Sequence, residues 1–300
     1  MTLRHFQIFT KVCEKMNMTA AAKALFISQS AVSQAIAELE EHYGVKLFER
    51  YSNRLYMTDA GGYLMSHAYH MLDYSKQIEQ AMFEKKSCND INIGATLTVG
   101  AYFLPPIVAL FRQTNPLTHI RIHTHNTHEI EQMLLIAELD LAVVEGSVQS
   151  SDILKYPLID DEMVFIYNAN SSVFPIDNKN ELTDIKLLNG VPLLMRENGS
   201  GSRRQIEQVL QENGVEYHIA GVFNSIEGIK RAAYYGLGVG IISRRAITED
   251  ENLKYFTVRE MHITRTFSLI YHKNKHINYE LSHFMDYLKK VLLLQRNQSC

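Results

Sequence analysis

The 300-residue chain has only three cysteines, no excess of basic charge and no apolar run of membrane-spanning length. Each absence removes a class of protein. Cys13, Cys88 and Cys300 are odd in number and far apart, so no disulfide framework is implied. No cysteine lies between Ile91 and Ser299, which leaves that long stretch without the nucleophile of a thiol switch. A net charge of −3 argues against indiscriminate nucleic-acid binding, which runs on phosphate neutralisation. The chain does not open on a basic segment leading into an apolar one, so a cytoplasmic protein without a membrane partner is expected. No nucleophile–base motif, metal-ligand spacing or phosphate-loop signature occurs, so neither an enzyme nor a cofactor is expected.

What is present begins near the start. Thr19 is read as the N-cap of a short helix through Leu25, rich in alanine, whose small side chains let another helix pack closely. Phe26-Ile27-Ser28 interrupts, and Ser28 is positioned to cap a second, longer helix. There Val32, Ala35, Ile36 and Leu39 recur at i, i+3, i+4, i+7 as one buried stripe. The opposite face carries Gln29, Ser30, Ser33, Gln34 and Ala37, and Gly44 is the expected left-handed residue closing the helix. A strand pair is expected next, Val45–Phe48 and Arg54–Thr58, joined by a turn at Ser52-Asn53. An ordinary helical hairpin has the same spacing as a DNA-reading helix pair.

The wording of the stretch separates the two. The run SQSAVSQAIAELEEHYGVKLFER, followed by MTDAG, resembles the winged helix-turn-helix of LysR-type transcriptional regulators, and LRHFQIFTKVCE is similar to that family's first helix, with Phe6, Phe9, Val12 and Cys13 as its apolar stripe. The resemblance is strong over the first sixty or so residues. It implies double-stranded operator DNA as partner, with Thr19, Gln29, Ser30, Ser33 and Gln34 at the reading end and Arg50 and Arg54 on the wing. Glutamine can read adenine bidentately. Many relatives carry arginine at the position of Gln34 and a basic residue at that of Asn53, so fewer guanine or phosphate contacts are expected here. Seven basic residues face six acidic ones up to Asp59, a local charge of +1, and one such head should hold DNA weakly.

A proline-free helical stretch follows from Asp59 to about Lys86. Leu64, Ala68, Met71, Ser75, Ile78 and Met82 are spaced 4, 3, 4, 3 and 4 apart, a heptad seam weakened by its small residues. A core helix reads similarly, whereas the resemblance makes this the linker helix that pairs two subunits. The polar run Glu84–Asp90 then reads as a hinge. Family members are commonly tetramers, so a homodimer or homotetramer is expected, with RNA polymerase as a further partner.

From Ile91 the pattern alternates. Strands are expected at Ile91–Thr96, Ile120–Thr124, Leu139–Val144, Met163–Tyr167, Pro192–Met195, Ile219–Phe223, Val239–Ile242 and Phe267–Tyr271. Helices are expected from near Leu104 and at Thr127–Ala137, Ser202–Asn213, Ser225–Tyr235 and Tyr279–Leu294. This predicts a parallel-rich α/β fold. The resemblance implies a winged helix-turn-helix domain over 1–58, a linker helix and hinge over 59–90, and a two-lobed periplasmic-binding-protein-like effector domain over 91–300. Its first lobe would take about 91–162 and 267–300, and its second about 163–266.

In such a fold a ligand sits between the lobes, at strand C-termini and helix N-termini. Three turns point there: Ala95–Gly100, Arg196–Arg203 and Asn224-Ser225. Ser-Gly turns often do no more than cap helices, but three that converge can cradle an anion. The candidates are Thr96, Thr98, Ser200, Ser202 and Asn224, with Glu145 at a strand end suited to an amine. The expected effector is a small carboxylate or amino-acid-like metabolite. A metal-responsive alternative rests on His119, His123 and His125, which share one strand face with Arg121.

Overall fold

The computed structural model describes residues 1–52, 54–84, 90–170, 174–177, 180–247, 253–259 and 261–298. Asn53, Cys88, Cys300 and the expected hinge residues 85–89 lie outside them. Three helices open the chain: α1 (Leu3–Lys15), α2 (Met18–Leu25) and α3 (Gln29–Tyr43). Phe6, Phe9 and Val12 of α1 pack on Ala21 and Ala22 of α2 and on Val32, Ile36 and Leu39 of α3, the stripes read from the spacing. Ser28 caps α3, accepting the Ala31 N–H at 3.1 Å, and Gly44 ends it at φ 68°. The cap of α2 is Asn17, which accepts the Ala20 N–H at 2.9 Å, so Thr19 sits inside the first turn and does not cap it. Asparagine is the better cap, and one residue of the chain separates it from α1.

The wing is β1 (Phe48–Tyr51) paired antiparallel with β2 (Arg54–Met57). Its first strand starts three residues later than expected, because Val45–Leu47 are tied down elsewhere. The Glu40 carboxylate accepts Leu47 N–H at 3.0 Å and Phe48 N–H at 3.3 Å, and Thr58 Oγ1 donates to the Lys46 carbonyl at 2.6 Å. Thr58 also accepts the Gly61 N–H at 3.0 Å. A Cβ on Gly61 would collide with the Leu47 carbonyl, so only glycine lets α4 (Asp59–Glu84) leave this close to the wing.

The remainder comprises β3 (Asp90–Ala95), α5 (Leu104–Thr114), β4 (His119–Thr124), α6 (Thr127–Leu135), β5 (Leu141–Val144), β6 (Ile153–Asn168), β7 (Glu181–Leu182), β8 (Pro192–Arg196), α7 (Gly201–Glu212), β9 (His218–Phe223), α8 (Ile226–Tyr234), β10 (Val239–Ser243), β11 (Leu253–Val258), β12 (Ile263–His272) and α9 (Tyr279–Gln298). One sheet runs in the order β4-β3-β5-β12-β6-β10-β8-β9. Strands β3, β4 and β5 are parallel in the first lobe, and β8, β9 and β10 in the second. The long strands β6 and β12 pair antiparallel from Ile263↔Met163 to His272↔Ile153 and join the halves. Met163–Tyr167 and Phe267–Tyr271 are therefore only the apolar ends of strands 16 and 10 residues long. Their other ends carry Pro157, Asp160–Glu162 and Arg265, which break the hydrophobic pattern. Pro157, lacking an N–H, sits opposite Ser268 where the register shifts, a place that tolerates it. Strands β7 and β11 were not expected.

Each lobe has its own core. Ile93, Phe103, Phe111, Phe267, Phe284 and Leu288 belong to one, and Phe165, Leu193, Ile206, Ile241, Phe256 and Ile263 to the other. Before α5 the helix widens over Val99–Phe103, where the Leu104 N–H bonds to Val99 O, five residues back. Pro105 and Pro106 lack the N–H groups that would close ordinary turns onto Ala101 and Tyr102.

Candidate functional site

Two surfaces gather the residues singled out by the sequence. On the first, the N-terminal half of α3 presents Gln29, Ser30, Ser33 and Gln34, each held by a side-chain hydrogen bond. Gln29 Nε2 donates to Ser33 Oγ at 2.6 Å, Ser28 and Ser30 hydroxyls lie 2.9 Å apart, and Gln34 Nε2 donates to Glu38 Oε1 at 2.9 Å. His5 at 2.7 Å and Gln34 together hold the Glu38 carboxyl below the usual range. These bonds restrain the polar side chains on a single helix, the element a major groove admits. Thr19, Gln29, Arg50 and Arg54 line one concavity of about 500 Å³ with Asn17 and Leu55, and both arginines are exposed. That places cationic side chains and a helix N-terminus where phosphates would pass. Phe26, in the turn at φ 55° and 95% exposed, stands beside the row and was not anticipated.

The second surface is a cleft of about 530 Å³ between the lobes. Thr96, Glu145 and Ser200 line it, with Thr124–Glu129, Gly146, Arg196, Gly201 and Arg204. Ser200 caps α7, leaving the first amides of that helix directed at the opening. Thr98 and Ser202 lie beneath the floor, bound to a residue the sequence reading missed. Arg265 is buried and fully engaged: Nε reaches Asp161 Oδ2 at 2.8 Å, Nη1 reaches Ser202 Oγ at 2.6 Å and Glu145 Oε1 at 3.0 Å, and Nη2 reaches Thr98 Oγ1 at 2.9 Å. Ser243 Oγ donates to the other Asp161 oxygen at 2.6 Å. One guanidinium thus ties Thr98 and Glu145 of the first lobe to Ser202 of the second, anchored on the crossing strand β6.

Two oxygens at this place have no partner among the described residues, Thr96 Oγ1 and Glu145 Oε2, and both are buried. A buried carboxylate oxygen left unmatched is costly, so these two oxygens favour a hydrogen-bond donor. Arg196 is not free to supply a match, since its Nε and Nη2 grip Glu197 at 2.8 Å each. Burial pushes the Glu197 carboxyl up, but these bonds and its own backbone N–H outweigh burial and leave it lowered.

The chain matches the bacterial regulatory helix-turn-helix of the lysR family over residues 3–62 and the LysR substrate binding domain over residues 85–293. The chain belongs to the LysR family. It is 32% identical over 291 residues to YeiE, an uncharacterised HTH-type transcriptional regulator of Escherichia coli (strain K12), covering 95% of this chain and 96% of that one. Its fold is that of a full-length OxyR variant from Pseudomonas aeruginosa, with TM-score 0.69, 21% identity and coverage of 98% and 95%. The regulatory domain of CcmR from Synechocystis PCC6803, solved in complex with 2-PG, superposes with TM-score 0.61 at 24% identity over 68% of this chain and 97% of that one. This LysR-type chain is a DNA-binding transcriptional regulator and not an enzyme.

Not every expected residue reaches the cleft of this LysR-type regulator. Asn224 is exposed and is absent from the lining of both the cleft and the small space beneath it, where Thr98, Ser202 and Arg265 meet. The strand before it, β9, is the outermost of the sheet and ends beside Arg196, so Asn224 sits one strand further out than the cleft-lining end of β8. His119, His123 and His125 do not assemble either: among the described residues no group of three metal-ligating side chains is close enough to hold an ion. His125 lies 3.4 Å from Glu129 at the cleft rim. Cys13 is buried in the DNA-reading unit, and burial pushes its thiol up to about 12, so it is unreactive. Arg265 was legible in one respect. It shares the inward parity of Ile263, Phe267 and Leu269 along β12, and a charged residue on the buried side of an alternating strand needs a partner.

Proposed function

We propose that this LysR-type regulator reads its operator with Gln29, Ser30, Ser33 and Gln34, holds the backbone with Thr19, Arg50 and Arg54, and is switched by a small anion bound between the lobes. A small carboxylate or amino-acid-like metabolite is the preferred class. The observation that carries this is the pair of unmatched buried oxygens, Thr96 Oγ1 and Glu145 Oε2, beside the N-terminus of α7. An acid group suits the helix amides and the exposed Arg204, while an amine or hydroxyl donor suits the two oxygens. The regulatory domain of CcmR is solved with 2-PG, and a buried glutamate in this cleft disfavours an anion that only accepts hydrogen bonds.

The division into 1–58, 59–90 and 91–300, with lobes of about 91–162 plus 267–300 and 163–266, fits this reading, as do a homodimer or tetramer and contact with RNA polymerase in the cytoplasm. Exposed Met71, Ile78 and Met82 on α4 support pairing of two chains. A calorimetric titration of the full-length protein with amino acids, hydroxy acids and simple dicarboxylates tests the ligand class. Amine- or hydroxyl-bearing acids should bind, and Glu145→Gln together with Thr96→Val should weaken them at least tenfold, about 1.4 kcal/mol. Binding untouched by both substitutions would move the site elsewhere.

A further inference from the structure

Helix α4 leaves the DNA-reading unit and lies against the first lobe through residues about 200 positions away in the chain. Two histidines sit at the centre. The rings of His70 on α4 and His272 at the end of β12 stack with centroids 3.6 Å apart and planes 13° from parallel, and both are buried. His70 Nε2 donates to the Leu134 carbonyl at the end of α6 at 3.0 Å. His272 Nδ1 accepts the Asn274 backbone N–H at 3.1 Å, which leaves its proton on Nε2, 3.0 Å from Ser66 Oγ. Ser66 in turn donates to Asp152 Oδ2 at 3.4 Å. The bonding therefore suits neutral rings, and a second proton on His272 Nδ1 would oppose the Asn274 N–H head on.

The carboxylates near enough to hold such a proton are already engaged. Buried Lys275 pairs with Asp73 of α4 at 3.0 Å and with Asp140, just before β5, at 2.7 Å. Lys273 pairs with Asp152 at 2.6 Å. His67, also on α4, lies 2.8 Å from Asn274 Nδ2, with its Nε2 buried and unpartnered among the described residues. Lys275 sits beside both rings as a further cation.

We propose that this contact is an acid-released latch: neutral His70 and His272 hold α4 to the first lobe, and protonation of the pair frees it. Burial pushes both imidazoles down to about 4, with His272 and Lys275 adding to burial at His70. At His272 the Asp152 charge opposes burial, and His67, Lys273 and Lys275 reinforce it. Release returns each ring to water and to its ordinary value of 6.5. The latch is then strongest above that value and weakens as pH falls from it towards the bound value, because the freed state takes up the protons. Between about pH 7.5 and about pH 5.5 the freed form gains roughly tenfold per histidine, about 100-fold for the pair.

Hydrogen–deuterium exchange on the full-length protein at those two pH values, corrected for intrinsic rates, tests the latch. On acidification, α4 around His67–Asp73 and the segment His272–His276 should lose protection while α1, α3 and the core of α9 keep theirs. The double variant His70→Gln, His272→Gln should lose this pH dependence. Unchanged protection in the wild type, loss spread over the whole chain, or an equal acid response in the double variant would each overturn the proposal. Should the variant fail to fold, an imidazole NMR titration of the wild type decides: titration of both rings below their ordinary value, in step with the loss of protection at α4, upholds the latch, and titration at ordinary values with α4 still protected rejects it.

Discussion

Arg265 has its donors on four different side chains, two of them carboxylates, and it is buried with them. Removing it would leave buried Glu145 without its cation and buried Asp161 with only the Arg245 cation, 3.6 Å away. Arg265→Met is expected to lower stability by about 3–5 kcal/mol, read as a fall in the urea midpoint. Arg265→Lys should land between, since an ammonium restores the charge but not the fork that spans both lobes. The same scale shows where a sequence is legible and where it is not. Stripe residues such as Phe9, Val32 and Leu39 could be read, because burial of apolar groups follows periodicity. The α2 cap could not be fixed between Asn17 and Thr19, because either side chain can accept a first-turn amide and only the path of the preceding turn decides. Asn17→Ala should cost about 1 kcal/mol in thermal unfolding of the full chain, and Thr19→Ala clearly less. Glu145 was found from its place at a strand end, whereas its partner Arg265 required knowing that β6 and β12 lie side by side.

Among the elements, α4 carries a heptad that the structure divides. Ala68 is buried and Leu64 packs beside it in the core of the DNA-reading unit, while Met71, Ile78 and Met82 face outward. The helix and its spacing were legible, but the division was not, since a heptad does not say which turns are already covered by the same chain. Charges at the outward positions should therefore separate subunits without unfolding them. Met71→Asp with Ile78→Asp is expected to lower the mass in light scattering to that of one chain, with an unchanged circular dichroism spectrum and operator affinity reduced at least tenfold. The long strands were half legible for a related reason. Their polar ends are buried by each other and not by apolar neighbours, so hydropathy alone truncated them.

For the whole molecule, the near-balance of charge in the reading head limits how many phosphates it can neutralise. Binding to non-operator DNA should be weak and only moderately salt-dependent. Arg50→Ala or Arg54→Ala should each reduce the slope of log affinity against log salt by about 1 per head, whatever the sequence. Ser33→Ala and Gln34→Ala should instead flatten discrimination at one half-site position by about 1–3 kcal/mol, measured on operators altered base by base. A salt slope unchanged by either arginine would remove the wing from the phosphate contacts. The histidines of β4 belong to this scale as well: they share a strand, yet a metal site needs ligands converging from more than one direction, and the topology does not provide that.

Among the described residues, the antiparallel pairing of β6 with β12 is the only strand ladder that carries the sheet from one lobe to the other in the strand order β5-β12-β6-β10. A pair of hydrogen-bonded strands resists stretching and in-plane swinging, but it twists easily. Such a ladder favours torsion between the lobes, like the winding of a ribbon, and its regular pairing is interrupted at the register shift where Pro157 faces Ser268. A ligand wedged beside Arg265 would act close to the axis of that ribbon, and a small local displacement there would be delivered to the far ends of the molecule as rotation.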